Sequence, residues 1–411
     1  MSKFYTGLIV LFCTLLLSCT KEENNEEKVL FAVPKIQSLQ DIRNAVKVTS
    51  PKNTSSNGKI YVTENLLFYI SQEQGIHVFN NLNPLAPQNI AFIELQGVHD
   101  IAVKENYLYA DNFVDLVVFD LSNINAITHV NTLQNVINFY PKIPQEAVYY
   151  DYMVYPNEGE IITGFVLESK PIPENMNMAS DALAEAFNSS TSVGVGGSYA
   201  RFQINNNALY TLENYKLNVF NILNPAEPFF DKDIYMNFWI GTGEFETLFK
   251  QKEFLFVGAT TGMFVVDASD AFNPQFISGF SHATACDPVV VYGNTAYITV
   301  RGGNTCGAIE DQINIIDISD IYNPILLSAY LIDNPYGLGV FNNRLYVCAN
   351  QSLHVFDATN ANLIELKNTY LDEVYDVIPL NTHLIAVGNQ KIVQYEYGNN
   401  FSLNKISETM F

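Results

Sequence analysis

Three times in this chain an acid stands at the head of a short apolar, β-prone run. His99-Asp100 precedes "IAVKE", Cys286-Asp287 precedes "PVVVY" and Tyr375-Asp376 precedes "VIPL". Arg201 and Glu246 hold the corresponding place before two further runs, and His282 lies just ahead of Cys286. Clustered carboxylate oxygens are what a hard cation such as calcium wants, and the same set with arginine and histidine added would suit a polar ligand. A second use is purely structural. An acid repeated at one place can accept backbone N–H bonds and tie neighbouring units together, and that is the commoner role for such a repeat. No cofactor is required by the sequence, although calcium or another divalent ion would fit.

Other chemistry is hard to find. There is no GxSxG elbow, HExxH pair, phosphate-cradling glycine loop or calcium-binding acid ladder, and the six histidines are scattered. No catalytic residue is assigned. A binding or scaffold role is favoured over an enzyme; the alternative is a metal-dependent hydrolase or lyase that uses the acids above. Net charge is −22. Neutralising a nucleic-acid backbone needs a basic stripe, and none is visible, so no nucleic-acid partner is expected.

Five cysteines are present. Cys286 and Cys306 fall in one repeat unit, and a disulfide between them, closing about 20 residues, would stabilise by roughly 3 kcal/mol. Two free thiols are the alternative. Cys348, in "RLYVCAN", reads as a small core residue.

What must position these residues is a repeated phrase. "GIHVFN", "DLVVFD", "LNVFN", "MFVVD", "INIID" and "LHVFD" end at Asn80, Asp120, Asn221, Asp267, Asp317 and Asp357, and a decayed copy, "IVQYE", ends at Glu396. The steps are 40, 101, 46, 50, 40 and 39 residues. A period near 40 with several short β runs per unit is the mark of a propeller. In the second unit the runs are "HDIAVKE", "YLYAD", "DLVVFD" and "THVNTL". The terminal Asp or Asn has a local cause, because its short side chain accepts backbone N–H bonds in an Asx-turn. The expected fold is all-β, a propeller of seven four-stranded blades. Ser38 with Asp41 would cap one helical turn, and Val46–Thr49 would pair with the last blade to close the ring.

The 101-residue step hides an insertion over residues 134–198. "AVYYDYMVY" and "IITGFVLES" flank "PNEGE" and read as a hairpin. "MASDALAEAF" reads as a helix capped by Ser180, and "NSSTSVGVGGS" as a flexible return. Blade topology puts the insertion on the face where second strands hand over to third strands, here called the upper face. The Cys306 loop and the acids at the starts of first strands fall there too, so the candidate ligand site is the upper channel mouth.

The N-terminus, "MSKFYTGLIVLFCTLLLSC", has one early lysine and an apolar run too short to span a bilayer. Residues 1–18 read as a signal peptide, and Leu16-Leu17-Ser18-Cys19 resembles a bacterial lipobox, in which Cys19 would be acylated. Residues 19–37 read as an acidic flexible tether ahead of a propeller over 38–411. "CTKEE" is similar to the surface-export signal of Bacteroidota lipoproteins.

"DLVVFDLSN" and its copies resemble the LVIVD repeat of secreted bacterial proteins. The resemblance covers residues 38–411 and implies a β-propeller. It carries no activity with it. Together with the N-terminus it implies a lipid-anchored protein of the outer membrane that faces the cell exterior, with an unknown protein or glycan partner.

Overall fold

The computed structural model describes residues 28–53, 58–72, 74–171, 197–236, 244–281, 288–302 and 310–410. Among them, seven antiparallel four-stranded meanders follow one another along the chain. They span Gly58–Glu94, Ile101–Leu133, Phe202–Tyr235, Phe245–Ser281, Val289–Leu331, Pro335–Tyr370 and Val374–Met410 and are called blades 1 to 7. An eighth sheet is made differently, from three strands far apart in sequence.

Each blade repeats the same solution. The third strand ends in the Asp or Asn of the repeated phrase, whose Oδ1 accepts the backbone N–H two residues on. Asp120 takes Ser122 N at 2.8 Å, Asp267 takes Ser269 N at 2.8 Å and Asp317 takes Ser319 N at 2.8 Å. Asn80, Asn221 and Asp357 do the same. The Asx-turn expected from the sequence is thus what reverses the chain in six of the seven copies.

Blades pack face to face. The third residue of the second strand is aromatic in blades 1 to 6 (Phe68, Tyr109, Tyr210, Phe256, Tyr297 and Tyr346), and in each it pairs with a Val or Ile of the third strand. These side chains are buried. Phe68 and Val78 pack on Ile101, Leu108 and Val117 of blade 2, and Tyr109 and Val118 pack on Phe202, Leu209 and Phe220 of blade 3. An aromatic of this kind removes 150–250 Å² from water, or roughly 4–6 kcal/mol of gross transfer free energy. The propeller core is therefore a ring of inter-blade layers.

A second device is legible only in the register. Every fourth strand carries a one-residue bulge, at Ile90, Val130, Asp231, Ile277, Leu327, Lys367 and Ile406. A bulge bends its strand and re-aims the next side chain. The residue after the bulge reaches the exit turn of the following blade. Asn131 donates to Ala226 O at 3.2 Å, Ser328 to Ala361 O at 3.4 Å, Asn368 to Phe401 O at 3.0 Å and Ser407 to Pro84 O at 2.6 Å, and Ser278 bonds Ile321 O. In blade 3 the position holds Lys232, which reaches Asn273 Oδ1 at 2.8 Å. In blade 1 it holds Ala91, which has nothing to donate.

Blades 7 and 1 meet with a different chemistry. Blade 7 has Ile385 and Gln394 where the others have an aromatic and Val or Ile. Blade 1 has Asn81 where the other exit turns have an apolar residue. The two amides bond reciprocally inside the core: Gln394 Nε2 donates to Asn81 Oδ1 at 2.8 Å, and Asn81 Nδ2 to Gln394 Oε1 at 3.2 Å. Tyr375 Oη adds a donor to Gly58 O at 3.0 Å and accepts Gly58 N at 3.2 Å.

Several expectations need correction. The strand Lys47–Thr49 does not close the ring. It pairs with the fourth strand of blade 1, setting Lys47 opposite Glu94 and Thr49 opposite Phe92, because Ser407 and the Asn81–Gln394 pair already satisfy the seam. The inserted hairpin is not a hairpin either. Tyr149–Tyr150 and Glu160–Pro171 lie on opposite sides of the strand Lys28–Ser38, parallel and antiparallel to it. Residues 28–37 are therefore strand, not tether. Their apolar stretch "VLFAV" takes the central place, with Phe31 and Ala32 buried, and pairs edges that a hairpin would leave bare. The helix Leu39–Asn44 follows, with Ser38 accepting Asp41 N at 3.4 Å as expected. The helix expected over "MASDALAEAF" lies outside the described residues.

The seam supplies a test. Gln394→Leu leaves the Asn81 amide buried and unpaired, at a cost of about 1–3 kcal/mol. Adding Asn81→Leu should recover most of that loss. Urea denaturation of the two single variants and the double variant reads the coupling directly, and additive losses would mean that the pair is not a unit.

Candidate functional site

The residues picked out at first-strand starts converge, but they converge on the chain itself. A single 3-10 turn, Gly197–Tyr199, sits where the insertion returns to blade 3 and lies against the first strands of blades 1, 4, 5, 6 and 7. It therefore occupies the mouth of the central channel. Sequence reasoning read Gly197 and Ser198 as the end of a flexible return; a Gly-Ser run gives no sign that it will be packed.

Asp376, fully buried in the first strand of blade 7, accepts the Ser198 hydroxyl at 2.9 Å and the Ser198 N–H at 3.3 Å. The same hydroxyl accepts Leu338 N of blade 6 at 3.1 Å. A Cβ added at Gly337 would stand 1.9 Å from Asp376 Oδ1, so that position admits only glycine beside this carboxyl. Burial pushes the Asp376 pKa up to about 8, against the opposing pull of Ser198 and the neighbouring backbone.

Asp100 is also buried but differently satisfied. Oδ1 accepts Ile101 N at 2.8 Å, and Oδ2 accepts Phe202 N at 3.1 Å together with Arg201 N. The carboxylate thus joins blade 2 to blade 3. Lys59, from the first strand of blade 1, lies 3.7 Å from Asp100 Oδ2 and donates to Tyr199 O at 2.9 Å. Burial lowers the Lys59 pKa, and Asp100 opposes the shift. His99 is held by Asp111, through its ring Nδ1 at 3.0 Å and its backbone N–H at 2.8 Å, and its ring packs on Phe139 of the insertion.

Arg201 contributes its backbone to Asp100; among the described residues its Nε has no hydrogen-bond partner. Glu246 sits at the bulge in the first strand of blade 4, between Phe245 and Thr247. With Glu244 it acts on Lys142 of the insertion, whose pKa is lowered by desolvation against their pull. The structure therefore brings Asp100, Arg201 and Asp376 around Lys59, while the ring of His99 turns to Asp111 and Phe139. His282, Asp287, Cys286 and Cys306 lie outside the described residues, as does Cys19. Cys348 is a free, fully buried thiol, as expected. Among the described residues, no group of three or more His, Cys, Asp or Glu is arranged to hold a metal ion.

The insertion is anchored by residues that sequence reasoning passed over. Arg43 of the short helix clamps Asp115 at 2.7 and 2.9 Å, and Asp115 also accepts Asn135 N at 2.8 Å. Asn138 docks on Glu213 of blade 3 through two bonds of 3.0 Å. Outward from these anchors, the three-stranded sheet and the loop beside it expose Tyr140, Tyr152, Met153 and Tyr155, at 75, 61, 85 and 70%. A separate groove of about 680 Å³ runs between the outer strands of blades 3 and 4, where Lys232 stands in for a short donor.

The two acids should answer to opposite tests. Asp100→Asn removes one of the oxygens that accept three backbone N–H bonds and should cost about 1–3 kcal/mol. Asp376 has a folded pKa above its unfolded one. The stability that its protonated form contributes is complete below about pH 4 and is lost as pH rises through about 8. Asp376→Asn keeps an acceptor for Ser198 without the charge. It should match wild type near pH 5 and exceed it by roughly 4 kcal/mol near pH 9. Thermal melts across that range decide, and an Asp376→Asn curve that falls in step with wild type would refute the assignment. Gly337→Ala should be destabilising at every pH.

Comparisons with known proteins agree with this architecture. Residues 97–132 match the family model of the LVIVD repeat. No curated protein matches the chain. Among solved structures, the fold is similar to that of a Lactobacillus plantarum protein (TM-score 0.55, 11% identity, covering 86% of this chain and 95% of that one). It is also similar to a periplasmic gluconolactonase, PpgL, of Pseudomonas aeruginosa (TM-score 0.53, 8% identity, covering 89 and 96%). A functionally unknown protein from Desulfotomaculum acetoxidans follows at TM-score 0.51 and 11% identity, covering 86 and 96%. At these identities the likeness concerns the fold alone. The chain is a β-propeller protein that carries the LVIVD repeat.

Proposed function

We propose that this chain is a lipid-anchored binding propeller of the bacterial outer membrane, displayed toward the cell exterior, whose recognition surface is the inserted three-stranded sheet and its aromatic loop. The observation that carries the reading is the exposure of Tyr140, Tyr152, Met153 and Tyr155 on the insertion, which Asn138 fastens to Glu213 of blade 3. Large exposed side chains cost little to order when their backbone is already fixed, and tyrosine offers both contact area and a hydrogen-bonding tip. A protein or a glycan would both suit such a surface. The acids of the mouth serve instead as ties that fix the sheet's base.

A hydrolase or lyase at the channel mouth, the runner-up, needs a space in which substrate meets reacting groups. The described part of that mouth is filled by Ser198 and Tyr199, and the carboxyls of Asp100 and Asp376 are taken up by backbone and hydroxyl donors. At 8% identity the similarity to the gluconolactonase concerns the fold alone.

The anchor reading supplies one test and the surface reading another. Cys19→Ala should move the protein from the membrane to the soluble fraction, and protease added to intact cells should cleave the wild type. A variant that stays with the membrane, or a wild type that is fully protected, would count against anchor or display respectively. The triple change Tyr152→Ser, Met153→Ser and Tyr155→Ser should leave the melting temperature nearly unchanged, since the side chains are exposed, while recovery of native envelope partners falls. Undiminished recovery would move recognition elsewhere on the molecule.

A further inference from the structure

The outer rim of blade 5 differs from the rest of the ring. Its fourth strand, Ile325–Leu331, reads "ILLSAYL" and carries no charge, no proline and no glycine. Ile325, Leu326 and Leu331 are exposed on it, and Tyr322, Leu363, Leu366 and Leu371 extend the same apolar strip across the neighbouring turn and blade 6. Fourth strands are sheet edges, and an edge with free N–H and C=O groups is a template for another strand unless it is guarded. Several other edges carry charge: blade 3 places Asp231, Lys232 and Asp233 there, blade 6 Glu365 and Lys367, and blade 7 Lys405 and Glu408. Blade 4, "QFISGFS", is uncharged like blade 5 but is broken by Gly279 and has polar residues at both ends. The edge of blade 2 is polar, "THVNTL".

Blade 1 shows what happens to an apolar edge in this protein. Its fourth strand, "QNIAFIE", is covered by the chain's own Lys47–Thr49, which pairs with Phe92, Ile93 and Glu94, just beyond the bulge. The bulge therefore does not prevent strand addition. The equivalent stretch of blade 5 is Ala329, Tyr330 and Leu331, with Ser328 directly after the bulge. It is as apolar as the covered edge, and no described strand covers it.

We propose that this edge pairs with the same edge of a second copy of the chain, antiparallel about a twofold axis, to form a homodimer. A twofold axis perpendicular to the sheet keeps each side chain on its face, so the pairing centres on a residue opposite its own copy: with Tyr330 opposite Tyr330, Ala329 of one copy stands opposite Leu331 of the other. Two copies that each carry a net charge of −22 repel one another over most of their surface. At this strip no carboxylate faces its own image, whereas the same operation on blade 3 or blade 7 would bring acidic side chains close together. A twofold contact needs a patch that complements itself. An uncharged strand flanked by Ile325, Leu326, Leu363 and Leu366 meets that condition. The contact lies on the outer rim and leaves the inserted sheet free, so it depends neither on the anchor nor on the surface proposed above.

Sedimentation velocity of the purified full chain in mild detergent, over about a hundredfold range of concentration, tests the pairing. The expected result is a monomer–dimer equilibrium. The double change Leu326→Lys and Leu331→Lys, at two exposed positions, should weaken it at least about tenfold through opposed like charges, with the thermal melt unchanged. Hydrogen exchange on the wild type gives a reading that no variant can spoil: amides of residues 328–331 should gain protection as concentration rises. A wild type that is monomeric throughout overturns the proposal, even if another protein is later found on the strip. A dimer that is indifferent to both lysines, with no concentration-dependent protection at 328–331, overturns it equally.

Discussion

Closing a ring is the constraint on which the rest of this structure depends. Each blade buries one face on its successor, so a chain of such units is stable only if the last also finds the first. Five of the six contacts between consecutive blades are helped by short chain connections, the exception being blades 2 and 3 with the insertion between them. The seventh joins residues more than 300 positions apart and pays the loop-closure entropy of the whole domain. Here the apolar layer of that contact, Ile385, Val387 and Ile392 against Leu67, Tyr69 and Phe79, is joined by a reciprocal side-chain amide pair, Gln394 with Asn81. An apolar layer would accept any apolar face of about the right shape, including another molecule's. A buried amide pair is satisfied only by its mate, because a wrong partner leaves both amides unbonded at a cost of about 1–3 kcal/mol each. The decay of the seventh repeat, where Glu396 replaces the usual acid and Gln394 the usual valine, is then the outcome of being last, and Asn81 is its counterpart in the first.

The channel obeys a related logic. Seven first strands around an axis leave a gap lined by the backbone of all of them, and three of those strands are irregular, at Phe245/Thr247, Pro335/Leu338 and Val374/Asp376. Unsatisfied polar groups there would be costly. The chain fills the space with its own Gly197–Tyr199 turn and lets Ser198 serve as donor to Asp376 and acceptor from Leu338 at once. Asp100 and Asp376 stand at similar places in their blades yet are satisfied differently. Asp100 collects three backbone donors, while Asp376 takes those of Ser198 and the Val377 backbone, and burial raises its pKa to about 8. Position in the repeat decides where an acid stands. What packs on it decides which partners it finds.

This explains which features could be read in advance. The propeller was legible because its causes are local and repeated: Asx-turns every 40 residues, alternating strands, and a motif that recurs at fixed spacing. That Asp100, Arg201 and Asp376 lie near Lys59 has the same cause, since equal places in a repeat lie at equal heights around one axis. What fills the space between them was not legible. Ser198 ends a Gly-Ser run without pattern, Lys59 is an ordinary strand residue, and Gly337 matters only because Asp376 Oδ1 lies where its Cβ would be. The threading of Lys28–Ser38 between Tyr149–Tyr150 and Glu160–Pro171 is also invisible locally. Two strands flanking a "PNEGE" turn satisfy every rule for a hairpin, and only a third strand more than a hundred residues away breaks the pairing.

That threading makes the first described residues mechanical parts. From Lys28 the chain runs through the centre of the inserted sheet, then through the helix that presents Arg43 to Asp115 of blade 2, then along the outer edge of blade 1 at Lys47–Thr49. Three elements of the ring and its insertion are stitched together before the first blade begins. A pull applied at Lys28 acts along the strand axis, and antiparallel hydrogen bonds lie across that axis. The load is therefore shared by the whole register from Lys28–Pro171 to Ser38–Glu160 and does not fall on one bond at a time. Behind that register stands the ion pair of Arg43 with a nearly inaccessible Asp115. An N-terminal segment arranged in this way can bear force without opening the propeller. The inserted sheet, with its exposed aromatic loop, is fastened to the same strand that bears it.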